Sequence, residues 1–222
     1  MKHFNHLETV ILVGGSKVKL NTLKAISNQH SVYAADSGAN ILIDEQINFE
    51  SVIGDMDSID SKILKNKNHK AIFIEDQNST DLQKCLNTIK AKVFIGFGFL
   101  DLRLDHTLAS LTAICQHNVA RAIILVGEID TVIFVKGEWS CSIPSGTRLS
   151  IWPLSNQLFL ESSGLKYSLN NLNMDPINLI GTSNETVKDR FSIKPSNKYP
   201  ARYVTIIPSK YFMNIYDEFI NF

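Results

Sequence analysis

The stretch that decides the fold of this chain is Ser51-Val52-Ile53-Gly54-Asp55-Met56-Asp57-Ser58-Ile59-Asp60. An apolar strand ends at a glycine, and two carboxylates follow with one residue between them. Alternate side chains of an extended chain point the same way, so Asp55 and Asp57 are expected to face one side. Hard oxygen ligands of this kind suit Mg²⁺, which proteins usually bind through one or two carboxylates together with substrate phosphates. The alternative is a polar turn in which Asp57 or Ser58 caps a short helix over residues 59–65.

Strands and helices alternate along the first part of the chain. Besides the strand that ends at Gly54, strands are predicted at residues 9–13, 31–35, 70–74, 92–98 and 122–126. Helical patterns follow at residues 17–30, 41–46, 80–90 and 104–117. This alternation is typical of a parallel sheet that is covered by helices on both faces.

The texture of the sequence then changes. Short β-type runs separated by Pro, Gly, Ser and Asn follow, with one more helix expected over residues 210–222. The fold class that we predict is therefore α/β plus all-β. A doubly wound, mainly parallel, Rossmann-like sheet would occupy residues 1–131, and a C-terminal β-sandwich residues 132–222.

Composition excludes several classes of function. The 222 residues include 22 Lys plus Arg and 22 Asp plus Glu, so no net charge draws the chain to nucleic acid or to acidic membranes. We find no apolar stretch of membrane-spanning length and no signal for secretion. Cys85, Cys115 and Cys141 lack metal-type spacing, and we expect them to be buried free thiols in a reducing compartment. We expect a cytoplasmic protein.

Further carboxylates follow other strands of the predicted sheet. Asp36 comes directly after residues 31–35, and Asp81 lies shortly after residues 70–74. Open parallel sheets bind ligands at the carboxyl ends of their strands, so these side chains should lie near Asp55 and Asp57. The structural alternatives are a helix cap at Asp36 and a favourable helix-dipole position for Asp81. Thr80 with Gln83 forms a predicted capping box.

The sequence allows two interpretations for each of two turns next to the predicted strands. Gly14-Gly15 could present backbone N–H groups to a phosphate, or could form a tight turn. Arg103 falls at the start of a helix, where the dipole disfavours a cation, so it needs a phosphate or a carboxylate as partner. A solvated pair with Asp101 is the alternative. His106 has no second imidazole or thiolate at metal-site spacing.

Helical periodicity also predicts which side chains are buried. In the helix at residues 80–90, Lys84 lies off the apolar stripe and near Asp81; the stripe consists of Leu82, Cys85, Leu86 and Ile89. The core face predicted for the helix at residues 104–117 consists of Leu104, Leu108, Leu111 and Cys115. In the β region, residues 162–167 and 179–185 have the composition of ordinary loops.

Taken together, six stretches resemble the thiamine pyrophosphokinase family. They are Asp36-Ser37-Gly38-Ala39-Asn40, Gly54-Asp55-Met56-Asp57-Ser58, Thr80-Asp81-Leu82, Arg103-Leu104-Asp105-His106, Gly164-Leu165-Lys166-Tyr167 and Thr182-Ser183-Asn184-Glu185. The resemblance implies a nucleotide-binding α/β domain, a thiamine-binding β-sandwich, and a homodimer with the active site near the subunit interface. It also implies Mg²⁺-dependent transfer of pyrophosphate from ATP to the thiamine hydroxyl, giving thiamine diphosphate and AMP.

The resemblance and the carboxylates at the strand ends together suggest roles for single residues. The metal would be held by Asp55, Asp57 and Asp81, with Asp36 as a ligand or a supporting residue. Arg103 would neutralise phosphate charge, helped by Lys84, and either Asp81 or Asp105 would handle the hydroxyl proton. The other residues expected to bind ATP or thiamine are Gly38, Asn40, Gln77, Thr80, Gly98, Tyr167, Thr182, Ser183 and Asn184.

The chain departs from the family pattern at two places. Gln77-Asn78 stands where the family often has Lys-Asp, and Asp101-Leu102 stands where it has Gly-Gly. The second departure bears on the shape of the loop and on the direction of Arg103. Two other functions remain open: a Mg²⁺-dependent nucleotide phosphohydrolase that uses water as nucleophile, and a nucleotide or vitamin sensor without turnover.

Overall fold

The computed structural model of the chain describes residues 4–5, 8–57, 59, 70–117, 119–196 and 202–220. The chain forms two compact units, Met1–Glu128 and Ile129–Phe222. Within the described ranges, none of the helices combines the length and apolar character needed to cross a membrane. Apart from Ile59, the helix predicted at residues 59–65 lies outside the described residues, as does Ser58, one of the two caps considered for it.

The first unit is a parallel sheet with helices between its strands. Its strands are β1 (Phe4–Asn5), β2 (Thr9–Val13), β3 (Ser31–Ala35), β4 (Ser51–Gly54), β5 (Lys70–Phe73), β6 (Ile89–Lys90), β7 (Val93–Phe97) and β8 (Ala122–Val126). Its described helices are α1 (Leu20–Ser27), α2 (Gly38–Asp44), α3 (Asp81–Thr88) and α4 (Leu104–Gln116). The strands of the main sheet lie in the order β8-β7-β2-β3-β4-β5, and β1 pairs separately with β6.

The parallel arrangement follows from the apolar character of the strands. Every residue of β2, Thr9–Val13, is buried, as is every residue of β8, Ala122–Val126. Strands that are buried on both faces read as continuous apolar runs rather than as alternating ones. All the pairings within the main sheet are parallel. The carboxyl ends of the strands therefore share one edge, which confirms the predicted parallel α/β sheet.

The second unit contains two antiparallel sheets. Its strands are β9 (Asp130–Val135), β10 (Trp139–Cys141), β11 (Arg148–Pro153), β12 (Gln157–Ser163), β13 (Leu172–Met174), β14 (Gly181–Glu185), β15 (Phe191–Pro195) and β16 (Tyr203–Pro208). They lie in the orders β14-β11-β16-β9 and β10-β15-β12-β13. The rings of Phe159 and Tyr203, one from each sheet, meet edge to face at 4.9 Å. A short 3₁₀ turn, Ser209–Tyr211, and α5 (Phe212–Ile220) close the unit.

The core face predicted for α4 is wrong. Leu104 is 73% exposed and Leu108 is 55% exposed, whereas the helix buries Ser110, Ala113 and Ile114. Periodicity shows which residues share a face but not what that face meets. On the buried face, the Ser110 hydroxyl donates a hydrogen bond of 2.9 Å to the carbonyl of Phe99.

Two other predictions need correction. Gly181–Glu185 is a strand rather than a loop, and it pairs with β11 so that Asn184 lies opposite Leu149. Its polar side chains hid the strand because most of them face solvent. Cys85 and Cys141 are buried free thiols as predicted, but the free thiol of Cys115 is only half-buried.

Candidate active site

A pocket of about 780 Å³ opens in the first unit at the carboxyl ends of the sheet strands. The residues given a binding or catalytic role from the sequence that line it are Asp36, Asp55, Asp57, Gln77, Thr80, Asp81, Lys84, Gly98, Arg103 and Asp105. Gly38 and Asn40 are not among the described residues that line the pocket. The other candidates, Tyr167, Thr182, Ser183 and Asn184, belong to the second unit.

Three carboxylates meet in this pocket. Asp36, Asp55 and Asp57 each offer an oxygen, and these atoms all lie within 4.8 Å of one another. The expected extended path through Asp55 and Asp57 is wrong, because β4 ends at Gly54 and Met56 has a left-handed φ of 65°. The turn at Met56 nevertheless leaves both carboxylates beside Asp36. Such a group of hard oxygen donors has the chemistry that Mg²⁺ requires.

Asp36 is the buried member of this cluster, and a backbone hydrogen bond fixes its position. It is 3% exposed, has a left-handed φ of 44°, and donates its N–H to the carbonyl of Ile53 at 3.0 Å. Gly54 permits the close approach, since a Cβ there would lie 3.0 Å from the Cβ of Asp36. Within the described part of the chain, Asp36 Oδ1 has no hydrogen-bond partner. A buried carboxylate oxygen of this kind needs a donor or a cation.

The charge state of Asp36 reflects the same surroundings. Burial raises the pKa of the Asp36 carboxyl, and the negative charges of Asp81, Asp57 and Asp55 raise it further, while the N–H of Ser37 opposes the shift. A bound cation would reverse these repulsions. The electrostatics of the cluster thus favour a positively charged ligand.

Lys84 is the buried cation of the pocket. It is 4% exposed, and its ammonium lies 3.0 Å from Asp55 Oδ2 and 3.4 Å from Asp81 Oδ1. Its position off the apolar stripe was predicted, but its burial was not. The start of α3 is fixed by the predicted capping box, in which Thr80 Oγ1 accepts from the N–H of Gln83 and Gln83 Oε1 accepts from that of Thr80.

These contacts shift the pKa values of all three groups. The hydrogen bond from Lys84 is the main cause that lowers the pKa of Asp55. Burial raises the pKa of Asp81, although Lys84 opposes that shift. Burial by itself would lower the pKa of Lys84, but Asp55 and Asp81 outweigh it, so the pKa of Lys84 is raised. Lys84 is therefore a permanent positive charge next to the carboxylate cluster.

The glycines near the pocket have packing roles. A Cβ on Gly38 would lie 1.9 Å from the carbonyl oxygen of Val13, and one on Gly98 would lie 2.4 Å from that of Gly14. The N–H of Gly14 donates to Phe97 at 2.8 Å, and that of Ser16 to Gly98 at 3.0 Å. Two N–H groups of this turn are therefore engaged, which favours the tight-turn reading over a phosphate cradle.

Arg103 precedes the first turn of α4 and pairs with Asp105. Its Nη2 lies 2.6 Å from Asp105 Oδ2 and its Nε 3.2 Å from Asp105 Oδ1, and the pair is exposed. The Arg103 guanidinium accordingly lowers the pKa of Asp105. The alternative prediction, a pair between Arg103 and Asp101, is wrong. Asp101 Oδ2 instead accepts a hydrogen bond from the N–H of Glu128 at 2.9 Å.

The two residues at the position where the family resemblance implies Gly-Gly have a glycine-like backbone. Asp101 and Leu102 have φ values of 66° and 58°, in the left-handed region that glycine adopts without strain. The N–H of Arg103 donates to the Asp101 carbonyl at 2.8 Å and closes a three-residue turn. The backbone at these two positions is therefore one that two glycines could also adopt.

Sequence reasoning missed other residues of the pocket. Ser16, Phe99 and Ser110 line it as well. The Ser16 hydroxyl donates to the carbonyls of Leu100 at 2.6 Å and of Asp101 at 3.1 Å. Ser16 could have been predicted as a pocket residue, because it lies just beyond the carboxyl end of β2.

In the second unit, Asn184 supports Tyr167. Asn184 Oδ1 accepts from the N–H groups of Tyr167 at 3.0 Å and of Glu185 at 2.8 Å, and its Nδ2 donates to the Tyr167 carbonyl at 2.7 Å. Asn184 is buried, whereas Thr182 and Ser183 are exposed and Tyr167 is 61% exposed. The Asn184 amide is thus already engaged by the backbone.

A parallel sheet that carries carboxylates, a buried lysine and an arginine at its carboxyl edge is typical of enzymes that transfer phosphoryl-type groups. Residues 22–125 match the sequence family described as "Thiamin pyrophosphokinase, catalytic domain", and residues 141–199 match "Thiamin pyrophosphokinase, vitamin B1 binding domain". The chain belongs to the thiamine pyrophosphokinase family, a family of diphosphotransferases.

Individual relatives agree with this assignment. "Thiamin pyrophosphokinase 1" of Caenorhabditis elegans is 26% identical over 161 residues, which span 66% of this chain and 66% of the nematode protein. The crystal structure of thiamine pyrophosphokinase from Bacillus subtilis is 21% identical with a TM-score of 0.72, covering 91% of this chain and 99% of that one. The yeast enzyme is 16% identical with a TM-score of 0.74, covering 100% of this chain and 93% of its own. At these identities the structural matches show the fold.

Proposed function

We propose that this chain transfers the terminal pyrophosphoryl group of ATP to the hydroxyl of thiamine, yielding thiamine diphosphate and AMP. One observation carries the proposal: in a chain of this family, carboxylate oxygens of Asp36, Asp55 and Asp57 all lie within 4.8 Å of one another. Lys84 and Arg103 line the same pocket. Carboxylates for a cation and cations for phosphates are the two requirements of this reaction class.

We propose Mg²⁺ as the cation that the carboxylates hold. The buried, unpartnered Oδ1 of Asp36 among the described residues supports this fit, as do the neighbouring oxygens of Asp55 and Asp57. Asp81 remains a candidate ligand at the edge of the cluster, where its carboxylate contacts Lys84. When bound, Mg²⁺ would neutralise phosphate charge and orient the ATP phosphates.

In the proposed reaction, the hydroxyl oxygen of thiamine attacks the β-phosphorus of ATP. The bond from that phosphorus to the oxygen it shares with the α-phosphorus breaks, and AMP leaves. Arg103 would offset the charge that develops on this bridging oxygen and on the phosphates. Lys84 holds Asp55 and Asp81 in position, and Gln77 supports Asp55 through its amide at 3.5 Å.

Of the two carboxylates considered for the hydroxyl proton, Asp81 is favoured. Burial raises the pKa of Asp81, whereas the hydrogen bond from Arg103 lowers that of Asp105. A carboxylate with a raised pKa is the better proton acceptor near neutral pH. We propose that Asp81 accepts or orients the proton and that Asp105 holds Arg103.

We propose that thiamine contacts the second unit at Tyr167, Thr182 and Ser183. The exposed Tyr167 ring offers a face to the cationic ring of thiamine. Thr182 and Ser183 offer exposed hydroxyls and directly precede Asn184, which binds the Tyr167 backbone. Asn184 would act by fixing the Tyr167 backbone. The match of residues 141–199 to the vitamin B1 binding domain supports this division of labour.

We also propose a cytoplasmic homodimer with its active site near the subunit interface. The exposed Leu104 and Leu108 are one helical turn apart on α4, next to the exposed Leu102. Clustered apolar side chains of this kind are typical of protein interfaces. The free thiols of Cys85, Cys115 and Cys141 fit a reducing compartment.

The proposal is tested by measuring AMP release from ATP and Mg²⁺ with thiamine present or omitted. We expect AMP only with thiamine, in amounts equal to the thiamine diphosphate formed. Formation of ADP and phosphate without an acceptor would instead identify a hydrolase. Tight ATP binding without any product would identify a sensor.

A further inference from the structure

We propose that Asp101 is a positioning residue whose carboxylate holds the left-handed turn that directs Arg103 toward the pocket. The inference rests on the proposed function, because it gives Arg103 a role in ATP binding. It concerns a residue at a position where the family resemblance implies glycine.

The turn has a conformation that its residues do not favour. Asp101 and Leu102 are consecutive non-glycine residues with φ of 66° and 58°, and the left-handed region costs an L-residue about 1–2 kcal/mol. Leu102 is 71% exposed, so burial of its side chain contributes little free energy to offset this strain. Strained backbone persists where surrounding contacts hold it, and it concentrates at functional sites.

The carboxylate of Asp101 supplies one such contact. Its Oδ2 accepts the backbone N–H of Glu128 at 2.9 Å, so the turn after β7 is bound to the chain just after β8. The Ser16 hydroxyl provides a second tether through the carbonyls of Leu100 and Asp101, at 2.6 and 3.1 Å. A glycine could adopt the same φ without strain, but it could not accept the hydrogen bond from Glu128.

The turn leads directly into the arginine. The N–H of Arg103 donates to the Asp101 carbonyl at 2.8 Å, and Arg103 is the residue that precedes α4. Its guanidinium is exposed and is held only by Asp105 among the contacts described for it. The direction of the side chain therefore depends on the backbone that Asp101 fixes. Displacements of about 1 Å can cost roughly 100-fold in rate, so loosening this turn should weaken the action of Arg103.

The experiment is a double-mutant cycle between Asp101 and Arg103. Asp101→Ala, Arg103→Ala and the double variant are compared with the unmodified chain for kcat, KM for ATP and the ATP dissociation constant measured by calorimetry with Mg²⁺. We expect kcat/KM for ATP to fall about 100-fold in Arg103→Ala, the scale of losing one preorganised electrostatic donor. Asp101→Ala should lower it about tenfold alone, and by less than about twofold in the Arg103→Ala background.

Two further variants test whether the tether, rather than overall stability, is responsible. Asp101→Asn keeps an acceptor oxygen and tolerates a left-handed φ, so it should stay within about twofold of the unmodified chain. Ser16→Ala removes the second tether without adding strain, and its loss should likewise vanish in the Arg103→Ala background.

The outcomes separate this inference from the proposed function. Equal losses for Asp101→Ala in both backgrounds would overturn the inference, while the proposed function would stand. Unchanged ATP affinity and kinetics in Arg103→Ala would overturn both the role of Arg103 and the inference. Failure to make thiamine diphosphate would overturn the proposed function, and the cycle would still be decided by the ATP dissociation constants.

Discussion

The ammonium of Lys84 lies 3.0 Å from the carboxylate of Asp55, and the Lys84 side chain is 3% exposed. Asp55 and Asp57 follow β4, whereas Lys84 belongs to the first turns of α3. The ion pair therefore joins the end of one strand to the helix that follows the next. It also places a fixed positive charge at the border of the carboxylate cluster.

Replacing Lys84 should weaken the fold in a pH-dependent way. Lys84→Met should lower the free energy of unfolding at pH 7 by about 1.5–3 kcal/mol, the range for hydrogen bonds to charged groups. Because Lys84 lowers the pKa of Asp55, this stabilisation is present above the ordinary Asp pKa of about 3.9. It is lost as the pH falls through the lowered pKa of Asp55, so acid should narrow the difference between the two proteins.

Urea unfolding without divalent cations, from pH 7 into the acid range, measures this difference. Lys24→Met is the matched control, because Lys24 pairs with Glu45 at 2.6 Å with its side chain 48% exposed. An exposed pair of this kind contributes about 0–1 kcal/mol. Equal losses in the two variants would show that the burial of Lys84 has no energetic consequence.

A neutral side chain at Asp57 should remove activity and leave the fold. Asp57→Asn should lower kcat by about 100-fold or more, the scale of losing one preorganised electrostatic contact. Asp44→Asn changes an exposed aspartate at the end of α2 and should have no effect. The measurements are thiamine-dependent AMP release and the thermal unfolding midpoint. Full activity of Asp57→Asn would contradict the proposed metal site.

Much of the fold could be predicted because its signals are local. Continuous apolar runs such as Thr9–Val13 and Ala122–Val126 give the buried strands directly. The capping box at Thr80 likewise depends on residues three apart. The grouping of Asp36 with Asp55 followed from topology, because parallel strands bring their carboxyl ends to one edge.

The rest of the site depends on contacts that sequence does not encode locally. Lys84 is buried because two carboxylates from elsewhere compensate its charge. The left-handed φ of Asp101 depends on a tether to Glu128, 27 residues away. The incorrect prediction of the buried face of α4 has a similar origin. Leu104 and Leu108 share a helix face, but the described chain does not cover that face.

Neutralising Asp36 should stabilise the protein while removing its activity. Burial and neighbouring carboxylates raise the pKa of Asp36, so its charged form is unfavourable in the folded chain. Asp36→Asn should therefore raise the free energy of unfolding at pH 7.5 by about 0.5–2 kcal/mol, the usual range for a stabilising substitution.

The pH dependence of this gain has a definite sign. A carboxyl whose folded pKa is raised binds its proton more tightly when folded, so its unfavourable contribution grows as the pH rises through the folded pKa. The gain from Asp36→Asn should accordingly shrink as the pH falls below the raised pKa of Asp36 toward the ordinary Asp pKa of about 3.9. Urea unfolding with a chelator present measures it. A less stable Asp36→Asn at pH 7.5 would contradict the assigned electrostatics.

The ring of Tyr167 should affect thiamine and not ATP. Tyr167→Leu should raise KM for thiamine about two- to fivefold, because a cation over an exposed aromatic face gains roughly 0.5–1 kcal/mol. Tyr167→Phe keeps the ring and should remain within about twofold. Initial rates with each substrate varied separately distinguish the two effects. Equal changes in both KM values, or a large loss in Tyr167→Phe, would argue against a stacking role.

Charges on the exposed face of α4 should prevent dimer formation. The double variant Leu104→Glu/Leu108→Glu places a carboxylate at each of two exposed positions. In the native chain Leu104 is 73% exposed and Leu108 is 55% exposed. Like charges would then face each other across a two-fold interface, and removal of the apolar contacts should raise the dimer dissociation constant at least about tenfold. Ile177→Glu is the control, since Ile177 is 90% exposed in the second unit. Light scattering over a range of concentrations measures the mass. A native chain that is monomeric, or a double variant that stays dimeric, would show that this face is not the interface.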